Sequence, residues 1–210
     1  MIEFSIVPLD RGRDAYHWHR GFAAFDPHIL PRPWSDYQHF ADEGQVWCAR
    51  DDRGDFLGLA YYAFEEVGTW ELGGLMVEAS QRRGGLGSTL VRLLLGHLLY
   101  MEDPLSLGHR VILRVHSANT AVVELVEKVL RFRRGTTVEK VWYRSSEQNA
   151  GEKVTGYEFE LVNPDSLIAL AEWCEAWNDK LSGGRDARIV FGQKAQNLKI
   201  WAHAFRDMAR

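Results

Sequence analysis

The chain has 210 residues, 46% of them hydrophobic and 26% charged, which is enough apolar material for one well-filled core. A net charge of −4 argues against general nucleic-acid affinity, and two cysteines, Cys48 and Cys174, far apart in sequence, frame neither a disulfide scaffold nor a zinc site. The opening MIEFSIVPLD lacks a basic region and a long apolar run, and Arg92 and His97 interrupt the most apolar helix, so a cytoplasmic protein without a membrane segment is expected.

Taken in order, Glu3 to Val7 alternates like a first strand at or near a sheet edge and is ended by Pro8. Between Asp14 and Phe40 the helical pattern is broken by Asp26-Pro27 and by Leu30-Pro31-Arg32-Pro33, which predicts two short helices around a stiff loop. His17, His19, His28 and His39 fall in this region without ligand spacing, so no metal site is expected. Val46 to Arg50 and Phe56 to Phe64 flank the turn residues Asp51 to Asp55 and read as a hairpin, extended by a third antiparallel strand from Trp70 to Val77. Gly73-Gly74 inside that strand marks either a bulge or close packing against a neighbour.

Directly after that strand comes SQRRGGLGST, and then an apolar-periodic segment of helix length reaching Leu99. Gly84, Gly85 and Gly87 allow positive φ and leave the backbone N–H groups open to a bulky ligand. The first four N–H groups of the following helix have no intrahelical partner, and the macrodipole adds partial positive charge there. An anion belongs at such a turn, and Arg82 and Arg83 suit a diphosphate better than a carboxylate. No Lys-Ser or Lys-Thr follows the last glycine, so the turn is not a nucleoside-triphosphate loop, and G-x-G-x-x-G is absent. A purely structural strand-to-helix turn is the competing explanation.

Beyond the loop from Met101 to His109, Val111 to Val115 suits a buried strand parallel to its predecessor, with the helix as crossover. Asn119 then N-caps a helix predicted from Thr120 to about Arg131, with Ala121, Leu125 and Val129 on one stripe. Val138 to Tyr143 and Gly156 to Leu161 form a last hairpin with a long polar connection. A helix from Pro164 to about Lys180, a short strand from Arg188 to Phe191 and a helix from Lys194 to Arg210 complete the chain. Leu198, Trp201, Phe205 and Met208 share one face of the final helix, to be buried on its own domain or on a second subunit.

The loop Arg82-Arg83-Gly84-Gly85-Leu86-Gly87 fits Q/R-x-x-G-x-G/A, and with its neighbours it resembles motif A (QRRGGLGS, residues 81–88) of the GNAT superfamily of acyl-CoA N-acyltransferases. Ala79 replaces a frequent Pro, and Arg83 stands where many members carry another Gly. The resemblance covers about residues 1–162, leaving 163–210 as a C-terminal extension of helix, short strand and helix. It implies an α/β (α+β) fold with a mixed central sheet of about seven strands flanked by helices. It implies acetyl-CoA as co-substrate, held by Leu75, Met76, Val77, Arg82, Arg83, Gly84, Gly85, Leu86, Gly87, Ser88 and Asn119, with no metal. The activity implied is direct acetyl transfer in a ternary complex to a primary amine of a small molecule or protein. Glu71 takes the place of the base glutamate, with Glu65, Glu66 and His116 in reserve, and an N–H near Gly74 or Leu75 is the expected oxyanion donor. Val126 stands where the family's frequent general-acid Tyr would fall, with Tyr143 or Tyr157 as substitutes. A catalytically silent acyl-CoA-binding or assembly module is the alternative, and the C-terminal segment is a candidate homodimer contact.

Charge is divided in a manner that bears on both readings. Residues 1–80 carry 14 acidic against 6 basic side chains, and residues 81–210 carry 15 against 19. A basic second half suits a polyanionic coenzyme and an acidic first half an amine, although solvated surface explains the asymmetry equally well.

Overall fold

The structure is a computed structural model that describes residues 1–26, 28–29, 32–66, 68–142, 152–161, 164–182, 187–191 and 197–210. Eight strands, β1 (Ile2–Ile6), β2 (Val46–Arg50), β3 (Phe56–Glu66), β4 (Thr69–Val77), β5 (Arg110–His116), β6 (Arg133–Trp142), β7 (Glu152–Glu160) and β8 (Ala187–Val190), form one mixed sheet in the order β6-β7-β5-β4-β3-β2-β1-β8. Six helices flank it: α1 (Gly12–Phe25), α2 (Trp34–Asp42), α3 (Leu86–Glu102), α4 (Thr120–Glu124), α5 (Pro164–Ser182) and α6 (Leu198–Met208). Among the described residues only β4/β5 and β1/β8 pair in parallel. The expected sheet of about seven strands is thus present, with β8 added outside β1, which is left one place in from the edge.

Each sheet face carries its own apolar cluster, because successive side chains on a strand point to opposite sides. On one face α3 lays Leu90, Leu94 and Leu98 over Trp47, Tyr62, Leu72 and Leu113, all buried. On the other, α1 and α2 bring Ala15, Tyr37 and Phe40 against Cys48, Leu59, Tyr61 and Met76. His97 and His19 are buried on these opposite faces, and burial pulls each imidazole down to about 4, with Arg32 adding to the effect at His19.

The C-terminal extension belongs to the first of these clusters. Leu198, Trp201 and Phe205 of α6 are almost fully buried, each contributing about 1.5–3 kcal/mol of apolar transfer. Gly96 lets α6 come this close, since a Cβ there would lie 2.7 Å from the Trp201 ring. The stripe that the sequence offered to a second subunit is therefore covered by the chain's own α3 and α5.

Two elements depart from expectation. The helix after Asn119 is α-helical only to Glu124 and continues as a π-turn over Leu125–Val129, with Leu130 N–H bonded to the Leu125 carbonyl at 3.1 Å. Val126 and Leu130 are both in the core, at 1% and 3% exposure. The last hairpin is longer than predicted, with β6 beginning at Arg133, and its connection, including Tyr143, lies outside the described residues.

Candidate active site

The site is made by two parallel strands that part. β4 and β5 pair from Thr69/Arg110 to Leu72/Leu113, after which β5 runs on to His116 against β7 alone. Beyond Leu72, β4 turns away, because Gly74 and Leu75 form a bulge between the Met76/Leu59 and Gly73/Tyr61 pairs. Gly74 has φ +59°, and a Cβ on it would fall 2.6 Å from Tyr61 Cδ1. Both readings of the glycine pair therefore hold: the strand is bulged, and the Tyr61 ring packs on the bulge. Past Leu72 the backbone edge of β4 facing β5 has no pairing strand among the described residues, so it offers unpaired amide groups to an extended ligand.

The cleft opened by this divergence is walled by Glu71 to Leu75 from β4, Leu113 to His116 from β5, Asn119 and Val122 at the start of α4, and His28, Ile29 and Arg32 from the α1–α2 loop. In the β4–α3 turn that follows, only Gly85 of the three glycines takes a positive φ. Gly85 sits at φ +86° as the N-cap of α3, and Arg83, where relatives often carry Gly, takes φ +65°, a left-handed backbone unusual for a side-chain-bearing residue. Ser88 Oγ donates to the Gly85 carbonyl at 2.8 Å and braces the turn. Arg82 Nε donates to the Val77 carbonyl at 3.1 Å, which holds its half-exposed guanidinium 3.8 Å from Asp26. A Cβ on Gly87 would press on Val77 Cγ2 at 3.2 Å.

The remaining sequence-derived site residues divide by what their side chains do. Leu75 lines the cleft, whereas Met76 and Leu86 are buried in the two cores and contribute there only backbone and anchorage. Val77 is half-buried against α3. Asn119 caps α4, its Oδ1 accepting the Val122 N–H at 3.3 Å, and also faces the cleft.

Glu71 is buried at the floor of the cleft in an ion pair with Arg114, whose Nη1 donates to Oε2 at 2.5 Å. Arg114 also binds Glu158 through Nε at 3.1 Å, and Arg110 joins Glu158 to Glu160 at 2.8 and 3.0 Å. The Glu158 carboxyl is thereby held below its usual range, burial opposing and the two arginines prevailing. Opposite, Arg32 donates to Tyr61 OH at 3.0 Å and to Glu65 at 2.9 Å, while burial pushes the Tyr61 phenol up. The candidate substitute acid Tyr157 packs on the other face of the sheet, with the Arg134 guanidinium 4.3 Å from its ring, and Val126 is in the core, so neither reaches the cleft.

Sequence reasoning missed Arg114, Arg32, Tyr61, Asp26 and the role of His28. One signal was available: Arg114 interrupts the apolar strand RVILRVH and must face something acidic or open if the strand is buried. Among the described residues no helix is long and apolar enough to cross a membrane, and no three His, Cys, Asp or Glu side chains gather as a metal site.

Comparison with known proteins agrees with this architecture. The chain is similar in structure to a provisionally assigned acetyltransferase from Acinetobacter baylyi (TM-score 0.61, 16% identity, 77% of this chain and 92% of that one). A provisionally assigned acetyltransferase from Salmonella typhimurium, solved with its cofactor acetyl-CoA, superposes at TM-score 0.58 with 14% identity over 77% of this chain and 93% of its own. Spermidine N-acetyltransferase from Vibrio cholerae, in complex with CoA and spermine, gives TM-score 0.52 and 12% identity over 75% and 94%. At these identities the likeness is one of fold. No curated protein matches the chain in sequence. The sequence model described as the acetyltransferase (GNAT) family matches residues 13–132, which span nearly all of α1, then α2, the bulged strand, the glycine turn and α4. The chain belongs to the GNAT acetyltransferase family.

Proposed function

We propose that the protein is an acetyl-CoA-dependent N-acetyltransferase acting on a primary amine of a small molecule or protein, by direct attack within a ternary complex. The observation that carries this reading is the parting of β4 and β5 beside the Gly74 bulge, with a glycine turn and a helix N-terminus directly after β4. The residues fit the coenzyme: the open turn of Arg82 to Ser88 and the first N–H groups of α3 suit a diphosphate, and the unpaired edge of β4 suits the amide-bearing arm. When bound, acetyl-CoA supplies the activated acyl group as a thioester.

Every other element of the mechanism rests on the chain's own groups. A backbone N–H at Gly74 or Leu75, brought to the cleft wall by the bulge, polarises the thioester carbonyl. Glu71, fixed by Arg114, supplies fixed negative charge on the acceptor side, where an amine must bind and lose a proton. A lysine-like amine is neutral in only about one molecule per thousand near pH 7, so proton removal is a substantial part of the task. Residues 1–162 constitute the catalytic domain in this reading, and 163–210 an extension that shares its core.

The alternative, a silent acyl-CoA-binding module, is favoured by one observation: Val126 is buried where relatives often place the acid. A thiolate leaves without assistance more easily than an alkoxide, since a thiol pKa is about 8.5, so the missing Tyr does not exclude turnover. Titration of the protein with acetyl-CoA and CoA, beside a Gly85→Asp variant, tests the first half of the reading. Binding that is lost in the variant, followed by amine-dependent release of free thiol, supports the enzyme. Binding without thiol release for any amine favours the silent acyl-CoA-binding module, and no binding leaves the assembly module as the reading.

A further inference from the structure

The mouth of the cleft holds a second polar constellation that the Glu71 assignment does not use. His28, in the α1–α2 loop, has Nδ1 3.1 Å from Asp26 Oδ1, and the same carboxylate oxygen accepts the His28 backbone N–H at 2.9 Å. The proximity of this carboxylate favours the tautomer with the hydrogen on Nδ1, which leaves the lone pair of the neutral ring on Nε2. The His28 ring stands edge-on to the ring of His116 at the end of β5, with centroids 4.9 Å apart, and both rings wall the cleft beside the bulge. His116 is held in the opposite sense, its Nδ1 accepting the Ala118 N–H at 3.0 Å. His28 is about 29% exposed, so a substrate amine and water both reach it.

We propose that the Asp26–His28 pair is the proton acceptor for the attacking amine, an assignment that rests on the N-acetyltransferase reading above. Glu71 is engaged by Arg114, itself shared with Glu158, so it is suited to holding the amine's positive charge in place. His28 has an orienting carboxylate on one nitrogen and its second nitrogen for the substrate, which is the arrangement of a general base. In the step, the amine nitrogen bonds to the acetyl carbonyl carbon and the C–S bond breaks. The nitrogen's surplus proton passes to His28 Nε2, and the departing thiolate takes up a proton from the imidazolium or from water. Counted from the neutral amine, amine and acetyl-CoA become amide and free thiol with no net proton change; an amine bound as the ammonium first gives up one further proton, which His28 Nε2 passes to solvent.

The charged groups around His28 belong to several elements. Asp26 and Arg82 meet on its outer side with Glu78 nearby, His116 faces its ring, and Glu71, Arg32 and Arg114 line the cleft beyond. Asp26 is the nearest of them, 3.1 Å from Nδ1, and is the charge that faces the ring most directly.

The test uses the full chain, acetyl-CoA and a panel of primary amines with thiol release as readout, together with calorimetric titration of CoA. His28→Gln is expected to lower kcat by about 10²-fold or more and to flatten the acidic limb of the pH–kcat/KM profile, with CoA affinity unchanged. Asp26→Asn, which nearly preserves shape, is expected to lower kcat less than His28→Gln does and to leave CoA affinity unchanged, because the carboxylate beside the ring is gone. Free imidazole should restore part of the rate of His28→Ala. If the wild type turns over and all three variants match it in kcat and pH profile, the assignment is overturned and the enzyme reading stands. If the wild type binds acetyl-CoA but acetylates no amine, the enzyme reading fails and the assignment falls with it.

Discussion

Replacing Gly74 with alanine tests the feature on which the site depends. The substitution imposes two costs: a left-handed backbone at φ +59°, about 1–2 kcal/mol for a residue with a Cβ, and a collision with the Tyr61 ring, about 1–3 kcal/mol if it behaves as ordinary overpacking. The sum is about 2–5 kcal/mol, large against a typical domain stability of roughly 5–15 kcal/mol but not sufficient to abolish folding. Urea unfolding followed by tryptophan fluorescence measures the total. A second background, Tyr61→Ala, separates the two terms, since removing the ring leaves only the backbone cost. Alanine at 74 should therefore cost about 1–3 kcal/mol less there than in the parent. A single variant within about 0.5 kcal/mol of the parent, or equal costs in the two backgrounds, would refute the claim that the bulge and the tyrosine define one another.

Further outcomes follow from other parts of the structure. Val126→Tyr places a phenol in a filled core, so it should destabilise by about 1–3 kcal/mol without raising kcat, and a rate gain in the thiol-release assay would show that the position does reach the cleft. His19 and His97 bind protons more weakly folded than unfolded, so stability should fall as pH drops from about 6.5 to about 4 and level off below that, by an amount on the order of 3 kcal/mol for each. His97→Phe should flatten its share of that slope in unfolding curves taken across the range. Glu158 has a lowered folded-state pKa, so its contribution is present above the ordinary carboxylate range and is lost as pH falls through the folded value; Arg110→Met should reduce that acid-side loss in the same measurement. Arg114→Met removes the partner shared by Glu71 and Glu158, and is expected to destabilise and to raise KM for the amine more than it alters CoA affinity by calorimetry.

Local signals in this chain were legible because local physics produces them. Alternating and apolar runs marked β1 to β5 to within a residue or two, and Asn119 was readable as a cap because an Asn side chain satisfies a helix N–H at short range. The glycine turn was readable for the same reason: positive φ and open N–H groups are properties of a few consecutive residues. The helix after Asn119 runs as expected to Val129, but its buried stripe is Val123, Val126 and Leu130 rather than Ala121, Leu125 and Val129, because the core it meets is built by other elements.

The sequence by itself determined the strand, turn and helix that suit a diphosphate, the glycine pair that bends β4, and the acid that lies on that strand. Only the tertiary structure decided what those pieces do together. Glu71 acquired Arg114, a neighbour 43 positions away, because β4 and β5 pair in parallel before they part. Asp26 and His28 reached His116 because the α1–α2 loop folds over the end of β5, and the stripe of α6 turned inward because Gly96 leaves room for Trp201. Contacts of this kind depend on long chain closures that short-range preferences do not encode, so side-chain chemistry could be named from the sequence but not paired.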